Sequence, residues 1–118
     1  MLPGSTVDGH MQSVFVECKR DVEPEAVVEA MKNFVGAPQR LNLPTAPAQP
    51  VVVRDEQDRP QTRLDRMEGK GMSVVVGRIR EDTAFGGIKF VALGHNTIRG
   101  AAGCGVLNAE YLKAEKYI

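Results

Sequence analysis

The sequence predicts an α+β fold, a mixed and mostly antiparallel sheet with helices on one face. Two observations carry this reading. Runs rich in β-branched and aromatic residues recur at 11–18, 51–53, 72–80 and 88–93, a composition that suits a pleated, half-buried surface. Helical patterning is confined to the stretch between Asp21 and Gly36 and to residues 97–116. The order is therefore β-α-loop-β-β-β-α, mixed rather than strictly alternating, which favours α+β over a doubly wound parallel sheet.

The chain opens on turn signals, Pro3-Gly4-Ser5-Thr6 and then Asp8-Gly9. In the first strand Val14, Val16 and Cys18 share one face and Phe15 lies on the other, so both faces are expected to be partly covered. Asp21 is placed to cap the following helix, with Pro24 in its first turn. Ala26, Val27, Ala30, Met31 and Phe34 then recur every three or four residues as one buried stripe, and Gly36 ends it. Residues 37–50 hold Pro38, Pro44, Pro47 and Pro50 and read as an extended loop. The charged stretch 54–70 reads as a solvated excursion, a hairpin extension toward a partner subunit. The last helix should start near Asn96 or Thr97. Its first half contains Gly100, Gly103 and Gly105, each costing about 1 kcal/mol relative to alanine in a helix. Glycine at such a cost implies that a neighbouring element or a ligand comes close to the backbone.

A length of 118 residues allows one domain or part of one. With 42% hydrophobic and 25% charged residues the composition is that of a soluble globular protein. Fifteen basic and fifteen acidic residues balance, with no like-charge block, which argues against nucleic acid or an anionic membrane as partner. No apolar run reaches the roughly 18 residues of a membrane span, and residues 1–20 lack a signal-peptide pattern. Cys18 and Cys104 are too few and too far apart for a disulfide framework or zinc site, so reduced thiols in the cytoplasm are expected.

Two places can carry chemistry. His10 follows a glycine turn and enters a strand, where an imidazole can face a cleft and act as general acid or base. Taken alone, those residues more readily describe a surface turn histidine with no role. The second place is the junction from Gly94-His95-Asn96-Thr97 to Arg99-Gly100-Ala101-Ala102. Asn96 or Thr97 occupies an N-cap position there, and the free N–H groups of such an end suit an anion or amide ligand. Capping plus tight packing explains the same residues equally well, and His95 reads as structural. Cys104, among glycines and without a base nearby in sequence, is not placed to be a nucleophile. The carboxylates Asp55, Glu56, Asp58 and Asp65 form no metal-binding spacing.

Four segments, in this order, resemble aspartate-semialdehyde dehydrogenase of the archaeal and fungal-like branch. They are the run from Asp8-Gly9-His10-Met11 to Glu17, Arg59-Pro60-Gln61-Thr62-Arg63-Leu64-Asp65-Arg66, Val76-Gly77-Arg78-Ile79-Arg80, and the run from Lys89-Phe90 to Ala102-Gly103. The resemblance implies the distal part of a C-terminal catalytic and dimerisation domain of the glyceraldehyde-3-phosphate-dehydrogenase-like kind, over residues 1–118. It implies the NADP- and phosphate-dependent interconversion of aspartate semialdehyde and aspartyl phosphate, on the route to lysine, methionine and threonine. In that family a cysteine thiolate attacks the aldehyde, hydride passes to NADP, and phosphate releases the acyl group. By resemblance His10 is the acid/base, Asn96 with Thr97 meets the nicotinamide part of NADP, and helix 97–116 packs on the cofactor-binding domain. A homodimer or higher homo-oligomer is implied.

Parts of the family pattern do not occur in this sequence. There is no glycine-rich dinucleotide fingerprint and no nucleophile cysteine in its Asn-Cys-Ser/Thr setting. The arginine that the family carries seven residues before the histidine, for the substrate carboxylate, is Pro3 here, so residues 1–7 read as a divergent or non-native start. By itself the chain is expected to be inactive and to self-associate through exposed sheet. A malonyl-CoA reductase of the same fold and a free-standing, non-catalytic dimerisation module are the rival readings.

Overall fold

The computed structural model describes residues 7–118, so the turn expected at Pro3 to Thr6 and the place of the family's substrate arginine lie outside the described residues. Four strands form one sheet: β1 (His10–Val16), β2 (Val51–Arg54), β3 (Val74–Glu81) and β4 (Ile88–Gly94), in the spatial order β1-β4-β3-β2. β1 runs antiparallel to β4, from His10 opposite Gly94 to Val16 opposite Ile88. β4 is antiparallel to β3, whereas β2 pairs with β3 in parallel, Val51 opposite Val74. The sheet is thus mixed and mostly antiparallel, and β1 is an edge strand. Its centre is the core: Val75, Val76, Ile88 and Leu93 are all almost fully enclosed.

The parallel β2–β3 pair corrects the reading of the charged stretch. Parallel neighbours cannot be joined by a hairpin and need a crossover. Residues 55–73 make that crossover, through a short helix α3 (Thr62–Asp65) and a 3₁₀ turn (Glu68–Gly71). It is not wholly solvated either, because Asp65 is completely buried. Its Oδ2 accepts from Arg59 Nε at 2.7 Å and Gln61 N at 2.7 Å, while Oδ1 accepts from Arg54 Nε at 3.2 Å and from Arg59 Nη2. Arg54 also donates to Glu68 Oε2 at 2.6 Å. An ionised carboxylate is tolerated inside a protein only when paired and hydrogen-bonded this fully. The crossover lies hard on β3, where a Cβ on Gly77 would collide with the Arg59 carbonyl.

Helix α1 (Pro24–Lys32) packs on β2 and β3. Its N-cap is Glu23, not Asp21, and no side chain caps it. The expected stripe is only partly covered: Val27 and Met31 are half-buried, whereas Ala26, Ala30 and Phe34 are exposed. The proline-rich segment is more ordered than an extended loop. A short helix α2 (Ala37–Arg40) accepts Pro38 in its first turn, where a missing N–H removes no hydrogen bond. Leu43, just after it, joins Met72 and Leu107 in a second apolar cluster that includes Ile98 and Tyr111.

That cluster seats the last helix. After Thr97 the backbone makes one π-type turn (Ile98–Ala102) and then α4 (Gly103–Ala114). Glu110 ties α4 to the proline segment, accepting from Thr45 N at 3.0 Å and Thr45 Oγ1 at 2.6 Å. Among the described residues, only Gly103 of the three helix glycines is demanded by packing, since a Cβ there would meet Met72 Sδ and the Ile98 carbonyl. Gly105 faces open space. Among the described residues no helix is long and apolar enough to cross a membrane.

Candidate functional site

The β1–β4 pairing brings both chemically suggestive segments together. His10 begins β1 opposite Gly94, the last residue of β4, so the turn before β1 lies beside the turn after β4. Asn96 joins the two turns: its Oδ1 accepts a hydrogen bond from Gly9 N at 2.9 Å, across 87 residues of sequence. Gly9 has φ +108°, a backbone conformation that favours glycine, and this presents its N–H to the amide. His10 and Asn96 then line one shallow pocket of about 180 Å³ with Gln12, His95, Arg99 and Gly100.

Thr97, one of the two expected positions, is the N-cap residue of the π-type turn, but its side chain makes no capping hydrogen bond and the ring of His95 takes that part. Its ring Nδ1 accepts from Thr97 N and Ile98 N, both at 3.3 Å, and lies 3.2 Å from Thr97 Oγ1. An Nδ1 that accepts backbone N–H places the ring proton on Nε2, which makes the buried imidazole a donor on its far side. This settles the capping question but leaves Asn96 with its amide group: Oδ1 is engaged by Gly9, and Nδ2 makes no hydrogen bond to a described residue. Thr97 is exposed, turns its hydroxyl toward His95, and is not among the residues that line the pocket.

Three wall residues, Gln12, Gly94 and Arg99, lie in segments noted from sequence but had no role assigned to them there. Gln12 shares the face of His10 by strand alternation, a signal that was available. Arg99 and the open side of Gly94 gave none. A Cβ on Gly94 would meet nothing within 4 Å, and on Gly100 only the His95 carbonyl at 3.5 Å. Neither residue has the positive φ that would demand glycine. Packing among the described residues therefore does not account for these glycines, and both line the pocket. Cys104 is half-buried and receives a long contact from Arg99 Nη1 at 3.5 Å.

Residues 5–99 match the family model described as semialdehyde dehydrogenase, dimerisation domain. The chain belongs to that family. Among curated relatives of this semialdehyde dehydrogenase domain, it is 53% identical over 107 residues to aspartate-semialdehyde dehydrogenase of Methanothermobacter thermautotrophicus, covering 90% of this chain and 31% of that protein. It is 47% identical over 116 residues to malonyl CoA reductase (NADP) of Metallosphaera sedula, covering 97% of this chain and 32% of that protein. The fold superposes with a TM-score of 0.82 on the crystal structure of aspartate semialdehyde dehydrogenase with NADP from Candida albicans, at 42% identity, over 95% of this chain and 32% of that one. The chain spans about a third of the length of these relatives.

Proposed function

We propose that this chain is the distal part of the catalytic and dimerisation domain of a phosphorylating, NADP-dependent aspartate-semialdehyde dehydrogenase. His10 is its acid/base, and Asn96 faces the nicotinamide end of the cofactor, with Thr97 next to it supporting the turn through His95. The observation that carries the reading is the Gly9–Asn96 hydrogen bond, because it sets a titratable imidazole and an amide donor on one pocket wall.

The wall suits a nicotinamide carboxamide. Asn96 Nδ2 remains a donor for the carboxamide oxygen, and Gly94 and Gly100 leave space where side chains would stand. NADP, when bound, accepts the hydride; the nucleophilic thiol and the dinucleotide fold would come from other parts of such an enzyme. The work of this chain is to hold the imidazole of His10 at the mouth of the pocket, its backbone fixed by pairing with Gly94, and to move a proton to or from the reacting oxygen. By itself the chain should not turn over. In a cell we place the enzyme in the cytoplasm, in the synthesis of lysine, threonine and methionine.

In the complete polypeptide, Asn96→Ala should raise the Michaelis constant for NADP with a much smaller change in that for the aldehyde. A change confined to the aldehyde would remove Asn96 from the cofactor's environment.

We further propose that the chain forms homodimers or higher homo-oligomers through its sheet. Met11 and Phe15 lie on one face of the edge strand β1 and are 40% and 64% exposed. An unpaired strand edge beside exposed apolar side chains favours association. Sedimentation of the isolated chain should show self-association; a single monomeric species over a wide concentration range would contradict it.

A malonyl-CoA reductase is the second reading, supported by the 47% identity to the Metallosphaera protein. Assay of the complete polypeptide with both substrates separates the two.

A further inference from the structure

We propose that His95 is a positioning residue for the pocket: its Nδ1 fixes the turn that holds the Asn96 amide against Gly9. The inference rests on the enzymatic reading above for its kinetic consequence alone. Nδ1 accepts from Thr97 N and Ile98 N, both at 3.3 Å, and stands 3.2 Å from Thr97 Oγ1. The His95 carbonyl accepts from Gly100 N at 2.9 Å, so the residue grips the following turn with both its ring and its backbone. Asn96 lies inside that grip, and its Oδ1 reaches Gly9 N at 2.9 Å.

The turn is anchored at both ends. His95 is buried, and Ile98 packs against the apolar cluster of Leu43, Met72 and Leu107. Ile98 also stands so close to Gly71 that a Cβ there would strike its side chain. A segment clamped between a buried imidazole and a packed isoleucine leaves the intervening Asn96 little freedom. Without the ring nitrogen, the Thr97 and Ile98 N–H groups would lose the acceptor they have here, and the start of the turn would loosen. What matters is then the place of one acceptor atom, not the bulk of the ring. Asparagine carries Oδ1 as many bonds from the backbone as Nδ1, whereas glutamine sets its polar atoms one bond farther out, near the place of Nε2.

The test is amide hydrogen exchange of the ¹⁵N-labelled chain, read at Gly9, with the enclosed Val75 and Val76 of β3 as controls. His95→Gln should speed exchange of the Gly9 amide by about fivefold or more, the size expected for a lost cap, and leave both valines unchanged. His95→Asn should stay close to wild type. Unchanged Gly9 exchange in His95→Gln overturns the proposal, and so does equal acceleration in the two variants. Should His95→Gln also lose protection at the valines, two other readings decide. A wild-type ring proton on Nε2 in a long-range ¹H–¹⁵N spectrum, with normal Gly9 exchange in His95→Asn, sustains the proposal, and failure of either overturns it. In the complete polypeptide, His95→Gln should raise the Michaelis constant for NADP with a smaller change in kcat. It should add little to Asn96→Ala, since both act through one amide; full additivity overturns the route through Asn96. Exchange is read without cofactor, so if Asn96→Ala itself leaves that constant unchanged, the cofactor reading fails while the Gly9 result stands.

Discussion

Replacing His10 with asparagine in the complete polypeptide is expected to lower kcat by about 10² or more, the usual loss when a positioned acid/base is removed. The side chain sits at the start of β1, exposed to the pocket mouth, where it is free to exchange a proton with a bound reactant. Asparagine keeps a polar group of similar reach but cannot carry the proton. Because the backbone at this residue is held by the strand pair with Gly94, the substitution should leave the fold intact. The loss should therefore fall on kcat, with little change in the NADP Michaelis constant. An unchanged kcat would take His10 out of the mechanism, and a change confined to NADP affinity would recast it as a binding residue.

The second large effect is on stability. Asp65→Ala should destabilise the fold by about 3 kcal/mol, the lower end of what is lost when one partner of a buried ion pair is removed. The Arg54 and Arg59 side chains would lose their shared acceptor, and the Gln61 N–H would lose its own. The lower end applies because both arginines keep some contact with water and Arg54 keeps Glu68. A denaturant midpoint within experimental error of wild type would show that the cluster is dispensable.

Acid tests the same cluster. The Arg59 hydrogen bond, with those from Gln61 N and Arg54, outweighs burial and holds the Asp65 carboxyl at about 2, against an ordinary 3.8. A depressed carboxyl stabilises the fold above its unfolded value and loses that contribution as the pH falls through the folded one. About 2 kcal/mol should thus disappear between roughly pH 4 and pH 2. Asp65→Asn should show a shallower loss over this window. Some acid dependence will persist, since Asp82, held low chiefly by the Ala84 N–H, titrates on the same side. An identical slope in both proteins would remove Asp65 as its source.

β3 and β4 were legible to within two residues, because their β-branched runs are long and bounded by turn residues. Local patterning could not show that β2 joins β3 in parallel. That pairing turns a charged stretch from a solvated excursion into a crossover with a buried aspartate. The short helix at Pro38 was hidden because proline breaks helices everywhere except their first turn. The stripe on α1 was legible as a pattern but not as burial, since the helix packs chiefly on β2 and β3 and leaves Ala26, Ala30 and Phe34 exposed. At the site, His10 and Asn96 could each be picked out by a turn and a motif. Their meeting depends on the β1–β4 register, which places residues 10 and 94 opposite one another. The ring nitrogen of His95 as acceptor for the turn, and the contact of the Arg99 guanidinium with Cys104, depend on side-chain direction that spacing alone does not convey.

The hydrogen bond between Gly9 and Asn96 also bears on how such a protein can evolve. A change at Asn96 touches two properties in one step: the amide that faces the pocket, and the backbone leading into His10, the proposed acid/base. A lineage drifting toward a different cofactor or acyl substrate would meet a double penalty here, and selection would hold the residue even where a new preference favoured another. Novelty is easier to acquire at Gly100 and Arg99, which line the same pocket without taking part in this clasp.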